Sequence, residues 1–171
     1  MSDSTRRLRW GILSTAKIGR TAVIPATQRS ELGDVTAIAS RDATASRHVA
    51  DGLGIPTAHG SYEALLTDPE VDAIYIPLPN HLHAEWTRKA AAAGKHVLCE
   101  KPLTLDAAEA AELVAHCAAA GVTLQEAFMY RFHPQWQLAR QMVLDSEVGE
   151  LRTIQTFFSF YNDDPTNIRN I

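Results

Sequence analysis

The chain has 171 residues, 46% of them hydrophobic and 21% charged, with 16 Lys+Arg against 20 Asp+Glu and a formal net charge of −4. That balance describes a globular protein rather than a disordered, collagenous or membrane one, and at about 150 residues per domain the length suggests a single domain. The negative charge argues against a nucleic-acid partner, which needs a basic face, and no apolar run reaches the roughly 20 residues of a membrane helix. Cys99 and Cys117 stand alone without CxxC spacing, and no apolar signal core follows Arg6-Arg7, so a reduced, cytoplasmic protein is expected.

Leu8-Arg9-Trp10-Gly11-Ile12-Leu13 is a short apolar run suited to a buried strand, followed by a helical pattern through Ile18, Ala22, Val23 and Ala26. Val35 to Ala39 reads as a second strand, and Ala43 to Leu53 as a helix closing on Gly54. A short strand is expected near Thr57 to His59, then a turn or two of helix from Tyr62, stopped by Asp68-Pro69. Val71 to Ile76 is the next strand, and a helix runs from His81 through Ala93 to Gly94. His96 to Cys99 is a strand, followed by a helix with Asp106 as its cap and Gly121 at its end, and Val122 to Gln125 starts one more strand.

Strand and helix therefore alternate from residue 8 to about 127, the pattern of an α/β, doubly wound parallel sheet with right-handed crossovers. After Ala127 the pattern changes. Pro134 to Leu144 predicts a further helix, Leu151 to Tyr161 a long strand, and 162–171 a polar, turn-forming tail. Eight of the twelve aromatic residues fall after position 127, and a lone aromatic strand is an edge that something should cover. The expected organisation is a doubly wound (Rossmann) domain over 8–127, then a helix and a long, unpaired strand over 128–171.

In a doubly wound sheet, ligands bind beyond the carboxyl ends of the strands, where the strand order reverses. The frame Ser14-Thr15-Ala16-Lys17-Ile18-Gly19 stands where a G-x-G-x-x-G fingerprint would, although only Gly19 is glycine. Small residues still let backbone N–H groups approach a pyrophosphate, and a plain strand-to-helix turn is the competing reading. After the second strand, Ser40-Arg41 replaces the acidic residue typical of NAD sites. A hydroxyl and a guanidinium suit a 2′-phosphate, which favours NADP with NAD still possible, while a solvated Arg41 paired with Asp42 is the bland alternative.

At the end of the fourth strand lies Pro77-Leu78-Pro79-Asn80-His81-Leu82-His83, where Asn80 is suited to cap a helix and His83 to line a pocket. His81 and His83 point to different faces of a helix and lack a third ligand, so no metal site is expected. Glu100-Lys101-Pro102 follows the fifth strand. Partial burial of Lys101 would make it a usable proton donor and acceptor, and Pro102 favours a cis bond.

Together these segments resemble the Gfo/Idh/MocA oxidoreductases, named for glucose–fructose oxidoreductase and inositol dehydrogenase. The resemblance is carried by 8–19, Ser40-Arg41, Pro79-Asn80-His81-Leu82-His83 and Glu100-Lys101-Pro102-Leu103. The stretch Glu126-Ala127-Phe128-Met129-Tyr130-Arg131-Phe132-His133-Pro134-Gln135 is similar to the branch of NADP-dependent xylose dehydrogenases and dimeric dihydrodiol dehydrogenases.

The resemblance implies a two-domain enzyme, with an NADP-binding Rossmann domain over 8–127 and the junction helix and first strand of an α+β substrate domain over 128–171. It would move a hydride between NADP and a sugar or cyclic diol and form homo-oligomers through its second domain. Lys101 would match the catalytic lysine, positioned by Glu100 and Pro102. Cofactor contacts would come from Leu13, Ser14, Thr15, Ala16, Lys17, Ile18 and Gly19, from Ser40 and Arg41, and from Pro77, Leu78, Pro79, Asn80 and His83. Glu100 and Lys101 would also meet the cofactor, with Arg131 near it or at the domain junction. The family's glycine-rich second site segment has no match, since the chain stops at Asn170-Ile171 about where it would begin. A non-catalytic NAD(P)-binding regulator of the same fold is the alternative.

Overall fold

A computed structural model of the chain describes residues 6–161 and 163. Six strands, β1 (Leu8–Leu13), β2 (Gly33–Ala39), β3 (Thr57–His59), β4 (Ala73–Ile76), β5 (His96–Cys99) and β6 (Leu124–Glu126), form one sheet in the order β3-β2-β1-β4-β5-β6. Every neighbouring pair is parallel. The order reverses between β1 and β4, so the fold is the doubly wound Rossmann arrangement expected from the alternation of elements.

Alternate residues serve the two covered faces, as a parallel sheet requires. Leu13, Ile74 and Ile76 pack on one side with Leu65, Trp86, Ala90 and Val97. Ile12, Ile38 and Tyr75 pack on the other with Ile24, Ala50 and Ile55. Gly11 sits where a Cβ would meet the Leu65 side chain at 2.8 Å and Val71 at 2.9 Å, so the centre of β1 has room only for glycine.

Helices α2 (Ala43–Leu53), α3 (Tyr62–Leu66), α4 (His83–Ala92) and α5 (Ala107–Ala119) follow β2, β3, β4 and β5. The Asp42 and Asp106 carboxylates cap α2 and α5 by accepting from N–H groups of their first turns, and Ser61 caps α3 likewise. Gly54, Gly94 and Gly121 close their helices with φ near +70°. The helix after β1 departs from a uniform α pattern, since a π turn at Gly19–Val23 precedes α1 (Ile24–Arg29). Pro25 is the cause: it has no N–H for the Thr21 carbonyl and its ring crowds that oxygen, and the wider turn absorbs the mismatch.

Asn80, expected as a cap, does not act as one. Asn80–Leu82 forms a 3₁₀ turn, and α4 begins with Leu82 as its N-cap and no side-chain capping bond. The N–H groups of Leu82 and His83 are spent on the Pro79 and Asn80 carbonyls instead.

The chain separates into two compact units, Met1–Phe128 and Met129–Ile171. In the second, a 3₁₀ turn at Met129–Phe132 leads to α6 (Pro134–Leu144), which His133 caps through its ring nitrogen on the Gln135 N–H. The strand expected from Leu151 to Tyr161 is absent: residues 151–161 carry no ladder. A strand is held by a neighbour's N–H and C=O groups, and this unit contains no other strand among the described residues. Phe157, Phe158 and Tyr161 are accordingly 92%, 87% and 87% exposed. The polar tail expected over 162–171 lies, apart from Asp163, outside the described residues.

Candidate functional site

A hollow of about 260 Å³ opens at the carboxyl ends of β1, β2 and β4, lined by Ser14, Thr15, Ala16, Ser40, Arg41, Tyr62, Pro77, Leu78 and Pro79. It lies at the switch point of the sheet, where the topology places a ligand crevice. Ser14 shapes its floor. Its φ of 109° is the conformation that a fingerprint's first glycine usually supplies. The Ser14 hydroxyl donates to the Pro77 carbonyl at 3.3 Å and accepts from the Ala16 N–H at 3.2 Å, so one side chain joins the β1 turn to the β4 loop.

Leu13 is fully buried beneath the turn. Lys17 and Ile18 occupy the first helical residues and are exposed outside the lining. Gly19 is buried, but a Cβ there would make only ordinary contacts of 3.7–3.8 Å with Pro77, Tyr75 and Ile12. Its smallness therefore matters less to this site than the backbone of Ser14.

Ser40 and Arg41 form the opposite rim. The Ser40 hydroxyl accepts from the Asp42 N–H, and the Asp42 carboxylate is committed to capping α2, so among the described ion pairs Asp42 does not neutralise Arg41. Tyr62, which patterning assigned only to a helical turn, also lines the hollow. Its ring packs edge-on against Trp86 at 5.0 Å. Burial pushes the Tyr62 hydroxyl above its ordinary range, and the positive charge of the nearby Arg41 guanidinium opposes that rise. The rim thus offers a hydroxyl, an exposed guanidinium and an aromatic hydroxyl: a donor set for a phosphate monoester.

One strand over, Glu100-Lys101-Pro102 leaves β5, with the Lys101–Pro102 bond cis as expected. The Glu100 N–H donates to the Ile76 carbonyl at 3.1 Å, and the buried Tyr75 hydroxyl donates to the Glu100 carboxylate at 2.7 Å. Burial and then the Glu100 charge hold Tyr75 far above the ordinary phenol range, so it remains a donor. The Leu103 N–H donates to the Glu126 carboxylate at 2.8 Å. Lys101 itself is exposed rather than partly buried, because the turn projects from the surface of its unit. Burial pushes the Cys99 thiol up to about 12, which keeps it protonated and inert beside this turn.

His83 is placed differently from a pocket-lining residue. It is fully buried, with Nδ1 at 2.6 Å from the Pro102 carbonyl and Nε2 at 2.7 Å from the Leu78 carbonyl. Asn80 lies at the edge of the same loop, exposed. Arg131 belongs to the second unit, where it borders a groove of about 880 Å³ with Tyr130, Trp136, Leu151 and Ile154.

The first unit fits a dinucleotide. It has a left-handed turn at Ser14 opening a helix, the Ser40-Arg41 rim at the end of β2, and a lysine turn beyond β5. Patterning missed Tyr62, Tyr75 and Glu126. Tyr75 had a detectable signal, since a phenol in an otherwise aliphatic buried strand needs a hydrogen-bond partner at the strand's end. Glu126 becomes visible only once β6 is known to lie beside β5.

A nucleotide crevice at the switch point of a 3-2-1-4-5-6 sheet defines an NAD(P)-binding Rossmann protein. Residues 8–128 match the Gfo/Idh/MocA oxidoreductase family, described by its NAD-binding Rossmann fold, and the chain belongs to that family. It is 58% identical over 151 residues to D-xylose 1-dehydrogenase (NADP(+)) 2 of Haloferax volcanii, covering 88% of this chain and 46% of that protein. It is 39% identical over 155 residues to trans-1,2-dihydrobenzene-1,2-diol dehydrogenase of Mus musculus, covering 90% of this chain and 46% of that one. Among solved structures it resembles a 3-ketoreductase from Actinomadura kijaniata in complex with TDP-benzene and NADP, with a TM-score of 0.77 and 40% identity over 82% of this chain and 44% of the other. The chain thus spans about half the length of the relatives it matches.

Proposed function

We propose that the protein is an NADP-dependent oxidoreductase acting on the CH–OH group of a sugar or cyclic diol. Its first unit is the cofactor domain, and 128–171 begins a substrate domain. One observation carries this reading: the hollow at the switch point has Ser14 at its floor and Ser40-Arg41 at its rim, with the lysine turn one strand away. The relatives named as a D-xylose 1-dehydrogenase (NADP(+)) and a trans-1,2-dihydrobenzene-1,2-diol dehydrogenase support the substrate class.

The Ser14-Thr15-Ala16 turn would face the pyrophosphate with the Thr15 N–H and the first N–H groups of the helix it opens, and Ser40, Arg41 and Tyr62 would hold the 2′-phosphate. When bound, NADP supplies the hydride acceptor. The Lys101 side chain, as the neutral amine, would take the proton from the carbinol hydroxyl as the hydride leaves the carbon, and its exposure leaves it free to reach a substrate. Leu78 and Pro79 would exclude water from one side of the ring. Arg131 is proposed to meet cofactor or substrate in the whole protein. The buried, unpaired Cys99 and Cys117 support a cytoplasmic setting. The exposed apolar residues of the second unit support homo-oligomerisation through that domain.

The test is turnover of NADP with a panel of aldopentoses, inositols and trans-dihydrodiols, followed by nicotinamide absorbance, with Lys101→Ala alongside. Reduction of NADP by one panel class, and a kcat about 10²–10⁴-fold lower in Lys101→Ala, is expected. A Lys101→Ala protein with full turnover removes the lysine from the mechanism.

A further inference from the structure

The lysine turn is held by groups that do not line the hollow: His83 and Tyr75, both fully buried, and the half-buried Glu126. His83 is fully buried at the start of α4, and both of its ring nitrogens face backbone carbonyls. One belongs to Leu78, which lines the hollow, and the other to Pro102, which follows the lysine. On the far side of the turn, the Glu126 carboxylate at the end of β6 accepts the Leu103 N–H at 2.8 Å. Three elements therefore converge on four residues of turn: α4 through His83, β6 through Glu126, and β4 through Tyr75 on Glu100. A surface turn that only joins β5 to α5 needs no such bracket. One that aims a long, flexible side chain at a bound ring does, because a misplacement of about 1 Å costs on the order of 10²-fold in rate.

We propose that His83 and Glu126 are positioning residues: His83 ties the cofactor loop at Leu78 to the lysine turn at Pro102, and Glu126 fixes the other end of that turn at Leu103. The inference rests on the oxidoreductase reading above. His83 serves the two loops through different atoms, and since a carbonyl only accepts, each contact is a hydrogen bond when its own nitrogen carries the proton. Nδ1 acts on the lysine turn and so on kcat, whereas Nε2 acts on the cofactor loop and so on the KM for NADP. Glu126 acts on the turn alone.

The two halves of the imidazole can be kept separately. An asparagine amide overlays Nδ1 and a glutamine amide overlays Nε2, so each variant retains one donor. In steady-state kinetics of the protein, His83→Asn is expected to keep kcat within about threefold and raise the KM for NADP about tenfold. His83→Gln is expected to keep the KM and lower kcat by about tenfold to a hundredfold. Glu126→Gln, which still accepts from the Leu103 N–H, should behave as the unvaried protein, whereas Glu126→Leu should lose kcat at unchanged KM. Glu126 is half-buried at a strand end, so its variants give a reading even if a His83 variant fails to fold. Loss of kcat and KM in equal proportion in both His83 variants, or equal losses in Glu126→Gln and Glu126→Leu, overturns the bracket while leaving the oxidoreductase reading intact. An unvaried protein that turns over no NADP overturns both.

Discussion

Ser14 holds a φ of 109° without being a glycine, and its hydroxyl spans the crevice to Pro77. Side chains at such a φ cost about 1–3 kcal/mol unless the surroundings fix them. Ser14→Ala keeps that cost and loses both hydroxyl bonds, whereas Ser14→Gly loses the bonds but relieves the backbone. Ser14→Gly is therefore expected to be more stable than Ser14→Ala by about 1 kcal/mol in urea unfolding, the reverse of the usual preference for alanine. At the rim, Arg41→Asp should raise the KM for NADP by about 10–100-fold and leave that for NAD nearly unchanged, since only the 2′-phosphate contact is lost. Away from the site, Arg9 donates to Asp72 from its backbone N–H and its guanidinium at 2.8–3.0 Å. The hydrogen bond from Arg9 holds the Asp72 carboxyl well below the usual carboxylate range, against the opposing effect of burial. A depressed folded pKa gives stability that is complete above the unfolded value of about 3.9 and is lost as pH falls through the folded one. Asp72→Asn should therefore lower the urea midpoint at pH 7, and the gap to the unvaried protein should close as pH falls below about 4.

At the level of elements, β1 is the most constrained strand, because Gly11 lies under Leu65 and Val71 with no space for a methyl group. Gly11→Ala is expected to cost about 1–3 kcal/mol by forcing those side chains aside, measurable as a lower denaturation midpoint. The alternation of elements was legible because apolar runs, Asp and Ser caps and closing glycines each state a local preference that the fold obeys, as Asp106 and Gly54 illustrate. Three features were not. Pro25 sits inside a sound helical pattern, and its effect appears as a π turn one step earlier. Asn80 has the chemistry of a cap, but the 3₁₀ turn that precedes α4 spends the available N–H groups on backbone carbonyls. Leu151 to Tyr161 alternates like a strand, yet alternation specifies a face and not a partner, and the described residues of that unit provide none. Among the residues that line the hollow, those of the Ser14-Thr15-Ala16 turn and the proline loop were readable from chain position. Tyr75 and Glu126 act through contacts 23–25 residues apart, which only the strand order reveals.

At the scale of the whole molecule, the length that first suggested one domain divides into two compact units at Phe128. The first has a full set of β-α units, a core on both faces of its sheet and the switch-point hollow. Among its described residues the second has a 3₁₀ turn, one α-helix and a run of exposed aromatics, in a chain that spans about half of its relatives. No described helix is long and apolar enough to cross a membrane. The proposed function requires the first unit to bind NADP and to choose it over NAD through Arg41. Calorimetric titration of the protein with each dinucleotide tests this most directly. One NADP site at least about tenfold tighter than NAD, with the difference lost in Arg41→Asp, is the result expected. Absence of NADP binding, or equal affinity for the two, would contradict it.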